Sequence, residues 1–271
     1  MEIARDLIAK RYGFRVNCSW SGMLTVSLAA RTAATGSTSM DDYVHSLVRS
    51  GGGGSELSAL AEDLLNGETH FLRTAPHFDA LRQKLVPEWR TQRDPGQNFR
   101  IASLGCSTGE EVYSIALVLH EVLSAEELSR AEITGVDVNS RSLDRARTGI
   151  YESFQLRELS RDQWTRWFTM EGNRWRVQAK LRESVRFLQH NLLDPLPFAS
   201  LDAIFCRNVM IYFHPSTVAE CIREFHAALR PGGYLFLGHS ESAFGYPQLF
   251  EAVPVPDGVI YQKKIASPLS Q

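Results

Sequence analysis

The sequence has few cysteines, and their positions follow neither a metal-binding nor a disulfide pattern. The four cysteines among 271 residues are Cys18, Cys106, Cys206 and Cys221, with no paired spacing. Such a set excludes a disulfide-dense secreted scaffold and a cysteine-based zinc module, and it favours a reduced, cytoplasmic setting. The eight histidines also lack the spacing of metal ligands, so we expect no metal site.

Long apolar runs and an excess of charge of one sign are absent as well. No hydrophobic run reaches the roughly 20 residues that a transmembrane helix requires, and the charged residues Glu2, Arg5 and Asp6 do not fit a signal peptide. The net charge of -2 gives no electrostatic case for binding nucleic acid. We therefore expect a globular protein with a sizeable core, no membrane insertion and no nucleic-acid partner.

Residues 101–111 (IASLGCSTGEE) have the pattern of a short buried strand, a tight glycine turn and the start of a helix. Gly105 and Gly109 allow the backbone to turn sharply and a ligand to approach closely. The turn is no phosphate cradle, because it lacks both G-x-G-x-x-G and the P-loop lysine. Glu110 and Glu111 would repel a pyrophosphate but tolerate a cationic ligand such as S-adenosylmethionine. A strand–helix connection that binds no ligand is the alternative.

A second β-type run, residues 133–139, places an acidic residue where a nucleoside ribose would lie. Asp137 follows the glycine turn by about 30 residues and stands at the end of the next strand. In a doubly wound sheet, a carboxylate at this position accepts hydrogen bonds from the ribose hydroxyls. The alternative is that Asp137 caps the following helix, although Ser140 is available for that role. We favour the ribose interpretation.

The first 65 residues predict a small helical region. Ile3 and Ile8 belong to one apolar helix face, and further faces follow at helical spacing. Small polar residues at 32–39 predict a loop whose last residue caps the next helix. Residues 51–55 (GGGGS) predict a flexible linker or loop.

Residues 151–184 interrupt the alternation of strands and helices with many aromatic and charged residues. We predict helices and a small antiparallel sheet inserted in the main domain; a macromolecular partner or packing on the core would equally explain the aromatic residues. Strands predicted at 185–192, 201–208, 234–238 and 259–262 resume the main sheet. A helix, a Pro-Gly-Gly turn, a strand and a terminal antiparallel strand are the ordinary end of a class I methyltransferase sheet.

Four stretches carry a resemblance to a known family. They are residues 68–73 (ETHFLR), 105–111 (GCSTGEE), 205–213 (FCRNVMIYF) and 238–241 (GHSE). The third is long and unusual in composition. With these motifs the chain resembles the CheR family, the chemotaxis-type protein-glutamate O-methyltransferases.

The resemblance implies an α/β architecture with a Rossmann-like class I methyltransferase sheet. It implies a helical N-terminal domain at 1–65 and a methyltransferase domain at 66–271, with an inserted β-subdomain at about 151–184. S-adenosylmethionine would be the methyl donor and S-adenosylhomocysteine the product. The acceptors would be glutamate side chains in the cytoplasmic part of a chemoreceptor, and we expect the enzyme to be a cytoplasmic monomer.

The same motifs imply the site residues. The donor-binding set consists of Thr69, Arg73, Glu111, Asp137, Asn191, Leu192, Arg207 and Asn208. The catalytic pocket consists of Arg73, Asp137 and Tyr212. No catalytic base is required, because a glutamate side chain with a pKa of about 4.3 is already ionised at neutral pH.

The residues suggest individual roles within this set. Arg73 would hold the acceptor carboxylate by a forked hydrogen bond, and Tyr212 would line the transfer site. Asp137 would hold the ribose. Glu111 would face the cationic end of the donor or pair with Arg73, and a purely structural pair is the alternative. Asn191 would contact the adenine edge, or it would simply form a turn.

Two departures from the family pattern bear on these expectations. The family usually has asparagine where this chain has Gly67, so a donor contact is lost or made differently. The family's receptor-docking helix is often rich in arginine, but residues 24–38 contain only Arg31, so receptor recognition is expected to differ. The alternative functions are a non-catalytic S-adenosylmethionine-binding regulator and a methyltransferase for another substrate.

Overall fold

The computed structural model describes residues 1–15, 18–50, 55–64, 69–92 and 96–265. The departure at Gly67 and the glycines of the predicted 51–55 linker therefore lie outside the described residues. Within the described part of the chain, no helix is both long and apolar enough to cross a membrane.

Twelve α-helices are found in the described residues. They are α1 (Glu2–Tyr12), α2 (Cys18–Thr35), α3 (Met40–Arg49), α4 (Ser55–Leu64), α5 (Ala75–Ala80), α6 (Val86–Gln92), α7 (Glu110–Val122), α8 (Ala125–Leu128), α9 (Ser140–Thr148), α10 (Arg161–Trp167), α11 (Ala179–Arg182) and α12 (Pro215–Ala228). A π-helical turn (Leu81–Leu85) joins α5 to α6, and 3-10 turns lie at Ser153–Leu156 and Met210–Tyr212.

The described strands form two sheets. They are β1 (Phe99–Leu104), β2 (Ala131–Asp137), β3 (Ile150–Tyr151), β4 (Phe168–Glu171), β5 (Arg174–Val177), β6 (Val185–Gln189), β7 (Leu201–Cys206), β8 (Leu229–Leu237), β9 (Phe250–Val255) and β10 (Gly258–Lys263). The large sheet has the order β6-β2-β1-β7-β8-β10-β9, and the small antiparallel sheet has the order β3-β5-β4. The predicted α/β class, the N-terminal helices and the inserted antiparallel sheet are confirmed.

The large sheet is parallel from β6 to β8, and β10 joins it antiparallel. The chain runs outward from β1 in one direction through β2 and β6, then returns to the other side of β1 with β7. Ligands of doubly wound sheets bind outside the carboxyl ends of the strands at such a reversal. This topology brings the ends of β1, β2 and β7 to one place.

Both faces of the central strands are buried, which explains why their sequences are almost continuously apolar. In β1, Ile101 points into the core layer that contains α7, whereas Ala102 and Leu104 point into the layer that contains α12 and the N-terminal helices. Phe205 and Ile204 of β7 divide between the two layers in the same way. The N-terminal helices thus share a core with the sheet, while the boundary at 65/66 stays a prediction.

The N-terminal helices differ from the prediction in two respects. Helix α2 continues to Thr35, through half of the stretch predicted as a loop, and ends before Gly36 at φ 67°. The hydroxyl of Thr32 donates to the Leu28 carbonyl (2.7 Å), so these polar residues are satisfied inside a helix. Ile3 was expected on the buried face but is 47% exposed, because Ala4 and Ile8 face the core instead. Ser39 caps α3 as predicted.

The last strands also differ from the prediction. Strand β8 begins at Leu229, not at Tyr234, and it includes the Pro-Gly-Gly sequence, where the pairing with β7 shifts register. The predicted last strand is present as β10, and its antiparallel neighbour β9 was not predicted. Helix α12 ends at Ala228, immediately before β8.

Candidate functional site

A single cavity of about 1190 Å³ lies at the carboxyl ends of β1, β2 and β7. Its lining includes all nine residues that the sequence motifs single out, namely Thr69, Arg73, Glu111, Asp137, Asn191, Leu192, Arg207, Asn208 and Tyr212. These residues come from stretches far apart in the sequence, and the strand order brings them together. Their roles, however, stay predictions.

The glycine turn after β1 has the left-handed backbone that the predicted sharp turn requires. Gly105 and Gly109 have φ of 73° and 93°. A Cβ at Gly105 would lie 2.3 Å from Cγ2 of Val209, and a Cβ at Gly109 would lie 2.8 Å from Cβ of Ala146. The glycines therefore make room for the protein's own packing, and the close approach of a ligand stays a prediction.

Asp137 ends β2, is 8% exposed and organises the backbone around it. One carboxylate oxygen accepts from the Ser107 N–H (2.7 Å) and the other from the Asn139 N–H (2.8 Å). Burial raises the pKa of this carboxyl, and the backbone hydrogen bonds oppose that shift. Asp137 is not the cap of α9, because the Asn139 side chain accepts from the Ser142 N–H (2.8 Å). A carboxylate has about four acceptor positions, so Asp137 is not saturated by these backbone hydrogen bonds.

Glu111 and Arg207 form an ion pair of 3.0 Å, and their side chains are only 15% and 2% exposed. Glu111 also accepts from the Ser103 hydroxyl (2.8 Å), and Arg207 donates to the Arg73 carbonyl. Burial raises the pKa of Glu111, whereas the positive charge of Arg207 opposes the shift. The partner that the structure shows for Glu111 is thus Arg207, which the sequence interpretation did not consider.

One nitrogen of the Arg207 guanidinium makes no hydrogen bond to the described residues. That nitrogen is the buried Nε. The guanidinium lies 5.8 Å from the centre of the Phe78 ring, and burial lowers its pKa. An unsatisfied buried donor costs about 1–3 kcal/mol, and this nitrogen has almost no accessible surface. We call Glu111, Asp137 and Arg207 the floor of the cavity.

The Asn191 side chain joins two distant parts of the backbone beside the cavity. Its amide donates to the Arg11 carbonyl (2.8 Å), and its oxygen accepts from the Leu193 N–H (3.1 Å). The second contact is the turn-forming role that the sequence left open. The amide still has one N–H, so the contact with an adenine edge stays a prediction.

Tyr212 lies in the 3-10 turn after β7 and is held by the N-terminal region. Its ring meets the Trp20 ring edge-on, with the ring centres 5.7 Å apart. Its carbonyl accepts from the Arg15 N–H (2.7 Å), and Phe14 pairs with Phe213 as an antiparallel bridge. The N-terminal segment thereby forms part of the wall around Tyr212.

The segment that carries Thr69 and Arg73 is fixed by two other parts of the fold. The N–H of Phe71 donates to the Gln155 carbonyl (2.9 Å), and the N–H of Leu72 donates to the Ser114 hydroxyl (2.9 Å). Leu72 has φ of 53°, a left-handed conformation that is rare for a residue with a branched side chain. This bent segment directs Arg73 towards the same cavity as Arg207.

One wall of the cavity is formed by residues that lie outside all four sequence motifs. Arg145 on α9, Phe154 and Arg157 near the 3-10 turn and Arg174 at the start of β5 form it, and we call these four residues the rim. Phe154 is 56% exposed, and the three arginines are also exposed. Arg145 and Arg174 form no ion pair with any described residue, whereas Arg157 contacts the His70 ring nitrogen (2.7 Å).

Comparison with known proteins identifies relatives along most of the chain. The family model described as CheR methyltransferase, SAM binding domain, matches residues 67–259. A protein named chemotaxis protein methyltransferase Cher2 from Pseudomonas putida is 36% identical over 76% of this chain and 76% of its own length. Chemotaxis protein methyltransferase 1 from Pseudomonas aeruginosa is 31% identical over 97% of each chain.

Solved structures show a much weaker likeness. A putative S-adenosyl-L-methionine-dependent methyltransferase from Methanococcus maripaludis has a TM-score of 0.39 and 12% identity over 76% of this chain and 99% of its own. Membership of the family therefore rests on the sequence matches and not on this likeness. The chain belongs to the CheR family of S-adenosylmethionine-dependent methyltransferases.

Proposed function

We propose that this protein transfers a methyl group from S-adenosylmethionine to glutamate side chains of a cytoplasmic, chemoreceptor-like signalling protein. One observation carries the proposal. The floor of the cavity combines a buried carboxylate–guanidinium pair and a second carboxylate at the end of β2. These groups match, one by one, the polar groups of the donor.

The floor is suited to the two polar ends of the donor. The amino-acid end of the donor carries an ammonium and a carboxylate, which complement Glu111 and the guanidinium of Arg207. The ribose hydroxyls of the donor complement the carboxylate of Asp137. S-adenosylmethionine, when bound, supplies a methyl group on a positively charged sulfur that an ionised carboxylate attacks without a base. We assign Thr69, Asn191, Leu192 and Asn208 to the remainder of the same pocket.

The chain's own task is then to align the acceptor carboxylate. Arg73 lines the cavity beside the floor, and its guanidinium is suited to hold a carboxylate by two parallel hydrogen bonds. The Tyr212 ring, fixed by Trp20, limits the directions from which the acceptor enters. Alignment of two reactants contributes up to about 7–11 kcal/mol to catalysis in favourable cases.

The rim supports an acidic acceptor. Arg145, Arg157 and Arg174 contribute three positive charges, and Glu152 contributes one carboxylate to the same wall. Phe154 offers an exposed aromatic ring between these charges. A helical segment that presents glutamates with apolar neighbours complements such a wall in both charge and polarity.

The test is methyl transfer from isotopically labelled S-adenosylmethionine to the cytoplasmic fragment of a methyl-accepting receptor. Glutamyl methyl esters are cleaved by mild base, so we expect the label to be released as volatile methanol. Replacement of the acceptor glutamates by alanine should abolish incorporation. Label that resists base would indicate another acceptor group, and donor binding without any transfer would favour the non-catalytic regulator.

A further inference from the structure

A carboxylate outside the site described above binds the turn after β7. That turn and the residues flanking it contribute Arg207, Asn208 and Tyr212 to the cavity lining. Glu241, in the turn after β8, receives four backbone N–H groups. One carboxylate oxygen accepts from Gly238 (2.7 Å) and Asn208 (2.8 Å), and the other from Val209 (2.9 Å) and Met210 (2.7 Å). Three of these donors are consecutive residues of the turn after β7.

The backbone of that turn explains why an anion is needed. Asn208 is left-handed, with φ of 59°, and Val209 returns to the right-handed region. Consecutive left- and right-handed residues point their N–H groups into one concave space, which binds anions. Because the turn leaves the strand ladder at this point, its N–H groups require a partner from elsewhere in the chain. Glu241 supplies that partner.

Gly238 is part of the same arrangement. A Cβ at this position would lie 2.7 Å from the Glu241 carboxylate and 2.9 Å from the Asn208 nitrogen. Any side chain at Gly238 would therefore displace the carboxylate from the turn. Two independent features, the four N–H contacts and the absent Cβ, thus point to the same requirement.

The turn held by Glu241 determines where several cavity groups lie. Arg207 precedes it and Tyr212 follows it, and both line the cavity. Val209, inside it, fills the space beside Gly105 in the other turn. A shift of the turn would consequently move the guanidinium, the tyrosine ring and the packing of the glycine turn together.

We propose that Glu241 is a positioning residue for methyl transfer, which acts by holding the 208–210 backbone so that Arg207 and Tyr212 face the cavity. The inference rests on the proposed function. Glu241 itself need not touch donor or acceptor, and nothing in the sequence motif 238–241 assigns it this role.

The test is the substitution Glu241→Gln, because glutamine keeps the size but presents an NH2 group to backbone N–H donors. We expect kcat, measured with both substrates saturating, to fall by about a hundredfold, since small misplacements of reacting groups cost that much. The affinity for S-adenosylhomocysteine, measured by calorimetry, should fall as well, because Arg207 is displaced.

Asp202→Asn is the matched control. Asp202 is 1% exposed, accepts from the Arg100 N–H (2.8 Å) and pairs with Arg230, but it lies at the other end of β7. Both substitutions remove a buried carboxylate that binds backbone, so both should lower the melting temperature. Only Glu241→Gln should lower kcat per folded molecule. Equal loss of kcat in both variants, or a wild-type kcat in Glu241→Gln, would overturn the proposal.

Gly238→Ala tests the position of the Glu241 carboxylate without removing its charge, because the added methyl group would displace that carboxylate from the turn. We expect it to reproduce the loss of kcat, and a wild-type kcat in this variant would contradict the inference. If the wild type binds donor but methylates no receptor, the proposed function fails. Positioning is then judged on S-adenosylhomocysteine affinity alone, which must fall in Glu241→Gln and not in Asp202→Asn.

Discussion

The floor and the rim of the cavity are built in opposite ways. At the floor, Glu111 and Arg207 are nearly inaccessible and bind each other, and Asp137 binds two backbone N–H groups. At the rim, Arg145 and Arg174 are exposed and form no ion pair with other described residues, and Phe154 is 56% exposed. The floor is fixed before any ligand arrives, whereas the rim is free to adapt to its partner.

This difference is expected for a protein that binds one small molecule of fixed structure and a second partner whose sequence varies. Groups held in advance lose little conformational entropy on binding, which favours specificity for a single small molecule. Long exposed arginines can adopt different rotamers against acidic segments of different sequence, at a cost of about 0.5–1.5 kcal/mol for each side chain that becomes ordered. Substitutions at the floor should therefore have the largest effects and substitutions at the rim the smallest.

The largest effect should follow from breaking the buried ion pair. Arg207→Met leaves Glu111 buried without its cation, so we expect unfolding to become easier by about 3–5 kcal/mol. Chemical denaturation measures this change. In the double variant with Glu111→Gln most of the stability should return, but donor binding should not. Recovery of donor binding by the double variant would show that the pair is structural only.

The next effect concerns the ribose position. If Asp137 binds the ribose as proposed, Asp137→Ala removes the acceptor of both ribose hydroxyls, and hydrogen bonds to a charged group contribute about 1.5–3 kcal/mol each. We therefore expect the Kd for S-adenosylhomocysteine, measured by calorimetry, to rise at least about a hundredfold. Asp144→Ala, on the exposed side of α9, is the control and should bind normally. Normal binding by Asp137→Ala would remove Asp137 from the donor site.

An intermediate effect is expected where the floor meets the rim, at Glu110. Its carboxylate accepts from Thr108 in the glycine turn and from Gln155 in the 3-10 turn of the rim. Burial raises the pKa of Glu110 from 4.5 to about 7. The folded state therefore binds the proton more tightly than the unfolded state, and stability falls as the pH rises from about 4.5 to 7, by at most about 1.4 kcal/mol per pH unit.

Glu110→Gln should flatten this dependence, as followed by denaturation between pH 5 and 7.5. Glu127→Gln is the control, because Arg90 holds the pKa of Glu127 at about 2. The stability due to Glu127 is lost only as the pH falls below 4.5, so its substitution should leave the slope between pH 5 and 7.5 unchanged. If Glu110→Gln lost stability between pH 5 and 7.5 as steeply as the wild type, the Glu110 carboxyl would not be the source of that pH dependence.

The smallest effect is expected at the rim. Reversal of two charges, Arg145→Glu with Arg174→Glu, should raise the KM for an acidic receptor fragment about five- to tenfold, because exposed charge pairs contribute about 0.2–1 kcal/mol each. The effect should shrink at high salt, and the Kd for S-adenosylhomocysteine should not change. Arg49→Glu with Arg223→Glu alters charge outside the cavity lining and is the control. An unchanged KM would place acceptor docking elsewhere.

The sequence predicted best those features that depend on local signals. The strand ends, the glycine turn and Asp137 follow from short apolar runs and turn residues, which are local signals. Once β7 is placed beside β1, the motif residues must lie around one cavity. The site membership of Arg207 and Tyr212 was available from their motif alone.

Partnerships across long sequence separations were not predictable in this way. Glu111 pairs with Arg207, 96 positions along the chain, and Glu241 binds the N–H groups of three residues more than 30 positions before it. Such pairs depend on the register of strands that share no sequence signal. The rim was missed because its arginines come from α9, the 3-10 turn and β5, and each one alone resembles ordinary surface charge.

The bridge between Phe14 and Phe213 bears on how the protein is made. The N-terminal helices leave the ribosome first, but their partners on the cavity wall, including Asn191 and Tyr212, are synthesised about 180 residues later. Contacts between such distant residues form slowly, because a long loop must close first. The wall around Tyr212 therefore cannot be complete until the chain has been synthesised at least as far as Tyr212.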